Sequence, residues 1–193
     1  MNALLWVVVG IAGYAAGSFP SGVIIGRLVR GVDLRSQGSG NPGTTNALRV
    51  LGPLPGIIVF VLDFGKGLAA ATLPGRLLGS DLGWLGGLTA VIGHILPIFA
   101  GFRGGKGLAT ACGVIAYLQP WFLAVFVPVW AVVFLACRKS APASAAAILC
   151  VALVALVFTM LGRMTVWPMA VTVLGALVIF ARHWPEARRV LGW

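Results

Sequence analysis

Two short segments, both rich in glycine and basic residues, hold most of the side chains in this sequence that could do chemistry. The first runs Gly38-Ser-Gly-Asn-Pro-Gly-Thr-Thr-Asn46 and is followed by Arg49. Glycines let a backbone enter φ > 0 and turn successive N–H groups into one concavity that suits an anion. Ser39, Asn41, Thr44, Thr45 and Asn46 add side-chain donors, and Arg49 offers a forked guanidinium for a phosphate. The second segment is Phe102-Arg-Gly-Gly-Lys-Gly107, running into Leu108-Ala-Thr110. Gly104, Gly105, Lys106 and Gly107 directly before a helix also suit phosphate, because helix N-terminal amides and the macrodipole favour negative charge. The segment is not a nucleotide-binding P-loop, since Gly107 follows Lys106 where Ser or Thr is required. A polar connector or a basic membrane anchor would account for Arg103 and Lys106, but not for the glycines around them.

Three further groups carry weaker signals. Asp63 and Lys66, three residues apart, share one helix face. An ionisable pair inside a membrane is a functional candidate, and mutual neutralisation explains it equally well. His94 stands alone on an apolar stretch, where packing or hydrogen bonding is the commoner role. Arg182-His-Trp-Pro-Glu-Ala-Arg-Arg189 reads as an interfacial tryptophan with a basic tail. Cys112, Cys137 and Cys150 fall in apolar stretches without CxxC or Cys/His spacing, so neither a metal site nor a disulfide framework is expected, and no cofactor.

The elements that must hold these segments are membrane helices. Of 193 residues 60% are hydrophobic and 9% charged, with a mean hydropathy of +1.02; a soluble domain carries roughly 25% charged residues. The net charge of +10 does not indicate nucleic acid, because the basic residues lie singly or in pairs between apolar runs. Anionic lipid and phosphorylated substrates fit better. Apolar runs predict spans at Met1–Gly26, Gly52–Gly75, Leu82–Phe102, Ser140–Gly162 and Met164–Ala181. The first lacks a basic leader and is too long for a signal sequence, so it is expected to be retained. Gly107–Cys137, 31 uncharged residues with Gln119-Pro120 near the middle, is long for one span and short for two. Charge decides: as two spans, eleven of the fourteen Lys and Arg share one face, with Arg76 and Arg163 opposite and Lys66 within a span. The expected fold is therefore an all-α membrane bundle of about seven spans forming a single domain over 1–193. Its N-terminus is outside and its C-terminus cytoplasmic, with the 27–52, 102–107 and 138–144 loops on the cytoplasmic face.

In combination these segments resemble the PlsY family of bacterial acyl-phosphate:glycerol-3-phosphate acyltransferases, over nearly the whole chain. Gly31-Val-Asp-Leu-Arg35 through Asn46 to Arg49 is similar to its first motif. Gly93-His94, Pro97 and Phe102–Thr110 are similar to its second, with Arg103 where Lys is common, and Asp63-Phe-Gly-Lys-Gly67 also fits. The resemblance implies transfer of a fatty acyl group from acyl phosphate to the 1-hydroxyl of glycerol 3-phosphate, giving lysophosphatidic acid and phosphate. It implies substrate binding by Ser39, Asn41, Arg49, Gly104, Lys106 and Gly107, and functional roles for Ser144 and His183. Lys106, Ser144 and His183 are the expected catalytic residues, and Thr45, Asn46, Gly105 and Thr110 join the expected binding set from the two loops themselves. It also implies a monomer in the bacterial inner membrane, among membrane lipids, acting after an enzyme that forms acyl phosphate. The chain departs from the family pattern at Glu186, where Asn is usual. Direct attack by the hydroxyl is expected, since acyl phosphate is already activated, and the HxxxxD pattern fails at Phe99 and Arg188, which argues against a His-Asp mechanism. The competing classes are a small membrane anion transporter or channel using Asp63, Lys66 and His94, and a non-catalytic lipid-binding subunit. No inverted repeat supports the transporter.

Overall fold

The computed structural model describes residues 3–191; Met1, Asn2, Gly192 and Trp193, at the ends of the expected 1–193 domain, lie outside them. The described residues are helical, with no strand among them, and divide into two compact units, Met1–Leu118 and Gln119–Trp193. The first unit holds α1 (Ala3–Gly17), α2 (Ser21–Arg30), α3 (Thr44–Leu51), α4 (Pro53–Leu78), α5 (Ser80–Ile95) and α6 (Leu108–Leu118). The second holds α7 (Trp121–Cys137), α8 (Ser140–Met160) and α9 (Val166–Leu191). Among the described residues, five stretches are long and apolar enough to cross a membrane: Ala3–Arg30, Pro53–Leu78, Ser80–Ala100, Ser140–Met160 and Val166–Arg189. The long uncharged stretch breaks at Gln119-Pro120 into the shorter apolar helices α6 and α7, as the charge pattern predicted.

Three boundaries differ from expectation. The first apolar run is broken at Ser18–Pro20, because Pro20 has no N–H for the helical ladder and its ring obstructs the preceding turn. The third helix stops at Ile95, so Pro97 lies beyond it, in keeping with the bias of pre-proline residues away from the α region. The last helix does not end at Ala181 but carries Arg182–Arg189 as two further turns. Pro185 costs it one backbone bond, while the Glu, Ala and Arg that follow are good helix formers.

Lipid tails provide no hydrophobic force between helices, so close packing of small residues has to hold them. In the first unit Gly13 and Gly17 of α1 lie against Gly86 and Ala90 of α5, and Gly86 also meets Ala70 of α4. Gly67 of α4 abuts the Thr110 backbone of α6, and Gly113 of α6 abuts that of Phe64. In the second unit α8 packs on both α7 and α9. It does so through a small-residue surface that includes Ala141, Ser144, Ala145, Ala147 and Ala155. Leu4, Ile11, Leu54, Ile57, Leu153 and Met160 stand exposed on outer helix faces, where a bilayer would accept them. One small core lies beneath the first glycine-rich loop: Leu34, Ala47, Leu51 and Val59, with Ile25, Val32 and Val50 against it. It pins amphipathic α3 onto α2 and α4.

Candidate active site

The α2–α3 loop is built from the inside. Gly31, in the left-handed region, ends α2 with its N–H on the Arg27 carbonyl. Asp33 then accepts from the Arg35 backbone at 3.0 Å, and from its guanidinium at 3.0 Å (Nε) and 2.7 Å (Nη2), with Arg27 3.6 Å away. The Arg35 hydrogen bonds hold the Asp33 carboxyl down at about 2, and the same pairing raises the Arg35 pKa. Asn46, buried at 2% exposure, braces the rest. Its Oδ1 accepts from Ser39 N at 2.9 Å, and its Nδ2 donates to Leu34 O at 3.1 Å and Gln37 O at 2.9 Å. Both amide protons are thereby committed within the loop. Asn41 does the lighter work of accepting from Gly43 N at 3.2 Å, ahead of α3. Ser39, Thr45 and Arg49 are exposed and Asn41 is half-buried.

The second loop follows α5. Phe102 N donates to Pro97 O at 2.8 Å and Gly105 N to His94 O at 3.1 Å, so the segment folds back over the end of α5 before α6 starts at Leu108. Gly107, at φ +86°, makes the turn into α6. Arg35 Nη1 donates to Ala100 O at 2.7 Å and so ties the two loops together. Between them lies an open cleft of about 250 Å³, lined by Ser21, Gly22, Pro42, His94, Arg103, Gly104 and Gly105 among others. Lys106 is half-buried immediately after that wall. Thr110 is fully buried where α6 meets Gly67, with no hydrogen-bond partner on Oγ1 among the described residues. Three residues past Gly107 is most of a helical turn, and the Thr110 side chain lies in the helix interface.

Beneath the cleft, Asp63 (1% exposed) accepts from Ser21 Oγ in a short hydrogen bond and pairs with Lys66 Nζ at 2.8 Å. His94 Nδ1 lies 3.3 Å from the same carboxylate oxygen. Lys66 also donates to Phe19 O at 2.9 Å, satisfying a carbonyl at the α1–α2 break. The Asp63–Lys66 pairing was visible in the sequence as an i,i+3 pair. The part played by Ser21 was missed, and its signal was Pro20 placing a polar residue at a helix start inside an apolar run. The four side chains meet at one carboxylate, that of Asp63.

In the second unit Trp130 Nε1 donates to Ser144 Oγ at 3.2 Å, with the indole stacked on Phe134. Buried His183 has Nδ1 2.8 Å from Ile179 O, so Nδ1 donates to that carbonyl. Glu186 is half-buried on the same helix, and Arg182 is exposed.

Apolar helices joined by small-residue contacts, with two loops meeting over a cleft in the first unit, define an integral membrane protein. Residues 7–192 match the family model described as glycerol-3-phosphate acyltransferase. The chain is 38% identical to the Bacillus velezensis glycerol-3-phosphate acyltransferase, over 94% of this chain and 91% of that one. It is 41% identical to the Geobacillus kaustophilus enzyme over 92% and 88%. The crystal structure of PlsY (YgiH), an integral membrane glycerol 3-phosphate acyltransferase, in its glycerol 3-phosphate form superposes with a TM-score of 0.88 at 36% identity. That match covers 97% of this chain and 92% of that one. The lysophosphatidic acid form gives 0.85. The chain belongs to the PlsY family of glycerol-3-phosphate acyltransferases, and phospholipid biosynthesis follows from that membership.

Proposed function

We propose that this protein transfers a fatty acyl group from acyl phosphate to the 1-hydroxyl of glycerol 3-phosphate. The hydroxyl oxygen attacks the acyl carbonyl, the carbonyl carbon–phosphate oxygen bond breaks, and phosphate leaves with that electron pair. The hydroxyl proton passes to a phosphate oxygen or to the basic nitrogen of a histidine. Acyl phosphate is already activated, so holding and neutralising two anions supplies most of what the protein must provide. One observation carries this reading: Pro42 of the first glycine-rich loop and Arg103, Gly104 and Gly105 of the second line one cleft, and Arg35 ties the two segments. Lys106 and the Gly104–Gly107 amides hold one phosphate, and Arg49 with Ser39, Asn41 and Thr45 the other. Support comes from the relatives, one of which was crystallised in a glycerol 3-phosphate form and a lysophosphatidic acid form. The roles of Ser144 and His183 rest on their match to functional positions of the family.

The topology proposed is seven crossings with the loops cytoplasmic, in a bacterial inner membrane. α6, with 11 residues, is ~16 Å long and covers about half of the ~30 Å hydrocarbon. Its Gly104–Gly107 end therefore lies below the membrane surface, as an irregular backbone segment permitted because it lines a cavity. The family match runs through both units, which supports reading 1–193 as one acyltransferase domain. The proposal includes a monomer acting downstream of an acyl-phosphate-forming enzyme. Cysteines placed at Lys139 and Arg163 test the orientation in intact cells. Labelling from outside at 139 but not 163 refutes it.

Purified protein, palmitoyl phosphate and labelled glycerol 3-phosphate test the reaction. Labelled lysophosphatidic acid is expected. None from that pair overturns the assignment, and product only with acyl-CoA overturns the donor. Lys106→Ala is expected to remove nearly all turnover.

A further inference from the structure

Ser21, Asp63, Lys66 and His94 bring ionisable groups into an apolar interior, a costly arrangement that packing alone does not require. The cluster reaches the cleft through Ser21 and His94, and it is His94 that touches the second loop. The carbonyl of His94 accepts from Gly105 N at 3.1 Å. A methyl built on Gly105 would collide with His94 Nε2, and one on Gly104 would collide with the His94 carbonyl oxygen. The loop backbone thus lies flush on this one residue at two successive positions. The imidazole is itself fixed: Nδ1 faces Asp63 at 3.3 Å, and Asp63 is held by the Ser21 hydroxyl and by Lys66 at 2.8 Å. Lys66 is anchored in turn to Phe19 O at 2.9 Å, at the helix break.

We propose that His94 is a positioning residue for the phosphate loop: the Ser21–Asp63–Lys66 set locks its ring, and ring and carbonyl together set the direction of the Gly104–Gly105 amides. Oriented donors stabilise developing charge without reorganising at the moment of reaction, so their aim matters as much as their presence. This rests on the reading that the 104–107 amides bind a substrate phosphate. It also accounts for Gly104 and Gly105, since no side chain fits between those positions and His94.

His94→Asn keeps an amide N–H for Asp63 and removes the ring beneath Gly105; His94→Gln keeps a polar group further out. The Asn variant should raise the KM of one phosphorylated substrate about tenfold or more, leaving the other KM within about twofold and the melting temperature unchanged. The Gln variant should recover part of that loss. Lys106→Ala, measured alongside, separates the two ideas. If it raises a KM and His94→Asn leaves both KM values unchanged, the positioning role is overturned and the phosphate reading stands. If Lys106→Ala leaves both KM values and turnover unchanged, the phosphate reading falls and this inference with it. Equal rises in both KM values with a lowered melting temperature would mark His94 as a fold residue and overturn the proposal. Should His94→Asn fail to fold, Ser21→Ala takes its place, since it loosens Asp63 by one hydrogen bond. It is expected to raise the same KM about threefold, and no change would overturn the inference.

Discussion

Asn46→Ala tests the construction of the first loop most directly. The substitution deletes one acceptor and two donors, serving Ser39 N at 2.9 Å, Gln37 O at 2.9 Å and Leu34 O at 3.1 Å. At about 1 kcal/mol of net stabilisation each, the loss is about 3 kcal/mol. It falls on the loop and not on the bundle, because Leu34, Ala47 and Leu51 remain buried below. Three kcal/mol is roughly a hundredfold in the loop-opening equilibrium. Hydrogen exchange at the Ser39 amide should accelerate by about that factor, and a substrate KM should rise at least tenfold, while the melting temperature of the bundle barely moves. Asn41→Ala removes a single bond at 3.2 Å and should cost about 1 kcal/mol. Asn46→Asp keeps the acceptor but sets a carboxylate against two carbonyls, so it should be no milder than Ala. If Asn46→Ala raises a KM while Ser39 exchange stays at the wild-type rate, Asn46 is a ligand and the bracing argument fails.

Asp33 predicts an acid-labile loop. Its folded pKa of about 2 lies below the unfolded value, so its stabilisation is complete above about pH 5 and is lost as pH falls from about 4 to 2. Proteolysis across residues 31–43 should quicken over that window, and Asp33→Asn should show the fast rate at every pH; a flat profile in the wild type would contradict the ion pair. Gly67→Val forces a side chain onto the Thr110 backbone, so the melting temperature should drop by several degrees for about 1–3 kcal/mol of overpacking. An unchanged value would show that α4 and α6 separate without cost. Glu186→Asn restores the amide usual in the family and removes a negative charge, so the KM for glycerol 3-phosphate should fall. A rise would sink the repulsion argument.

What was legible in the sequence follows from what each signal depends on. The break at Gln119-Pro120 could be placed because charges on both sides of it had to be shared between two membrane faces. The break at Ser18–Pro20 could not, since no charge flanks it within the first run and a lone proline is compatible with a kinked but continuous helix. Asp63 and Lys66 could be paired because a helix sets i and i+3 side by side. Ser21 and His94 join them from α2 and α5, a meeting that only the tertiary packing creates. Asn41 and Asn46 could not be told apart, because the same amide serves a turn and a buried brace. The glycines were legible as a requirement but not for its cause. Flexible backbone was the expected reason, and Gly38 at φ +57° and Gly40 at +73° do use it. Gly38, however, also lies where any Cβ would strike Asn46 Oδ1, and Gly104 and Gly105 lie where one would strike His94. In both loops the glycine allows a buried polar side chain to press against the backbone and hold it. Glycine here makes both segments rigid, which is why a methyl at Gly105 should do more damage than its size alone suggests.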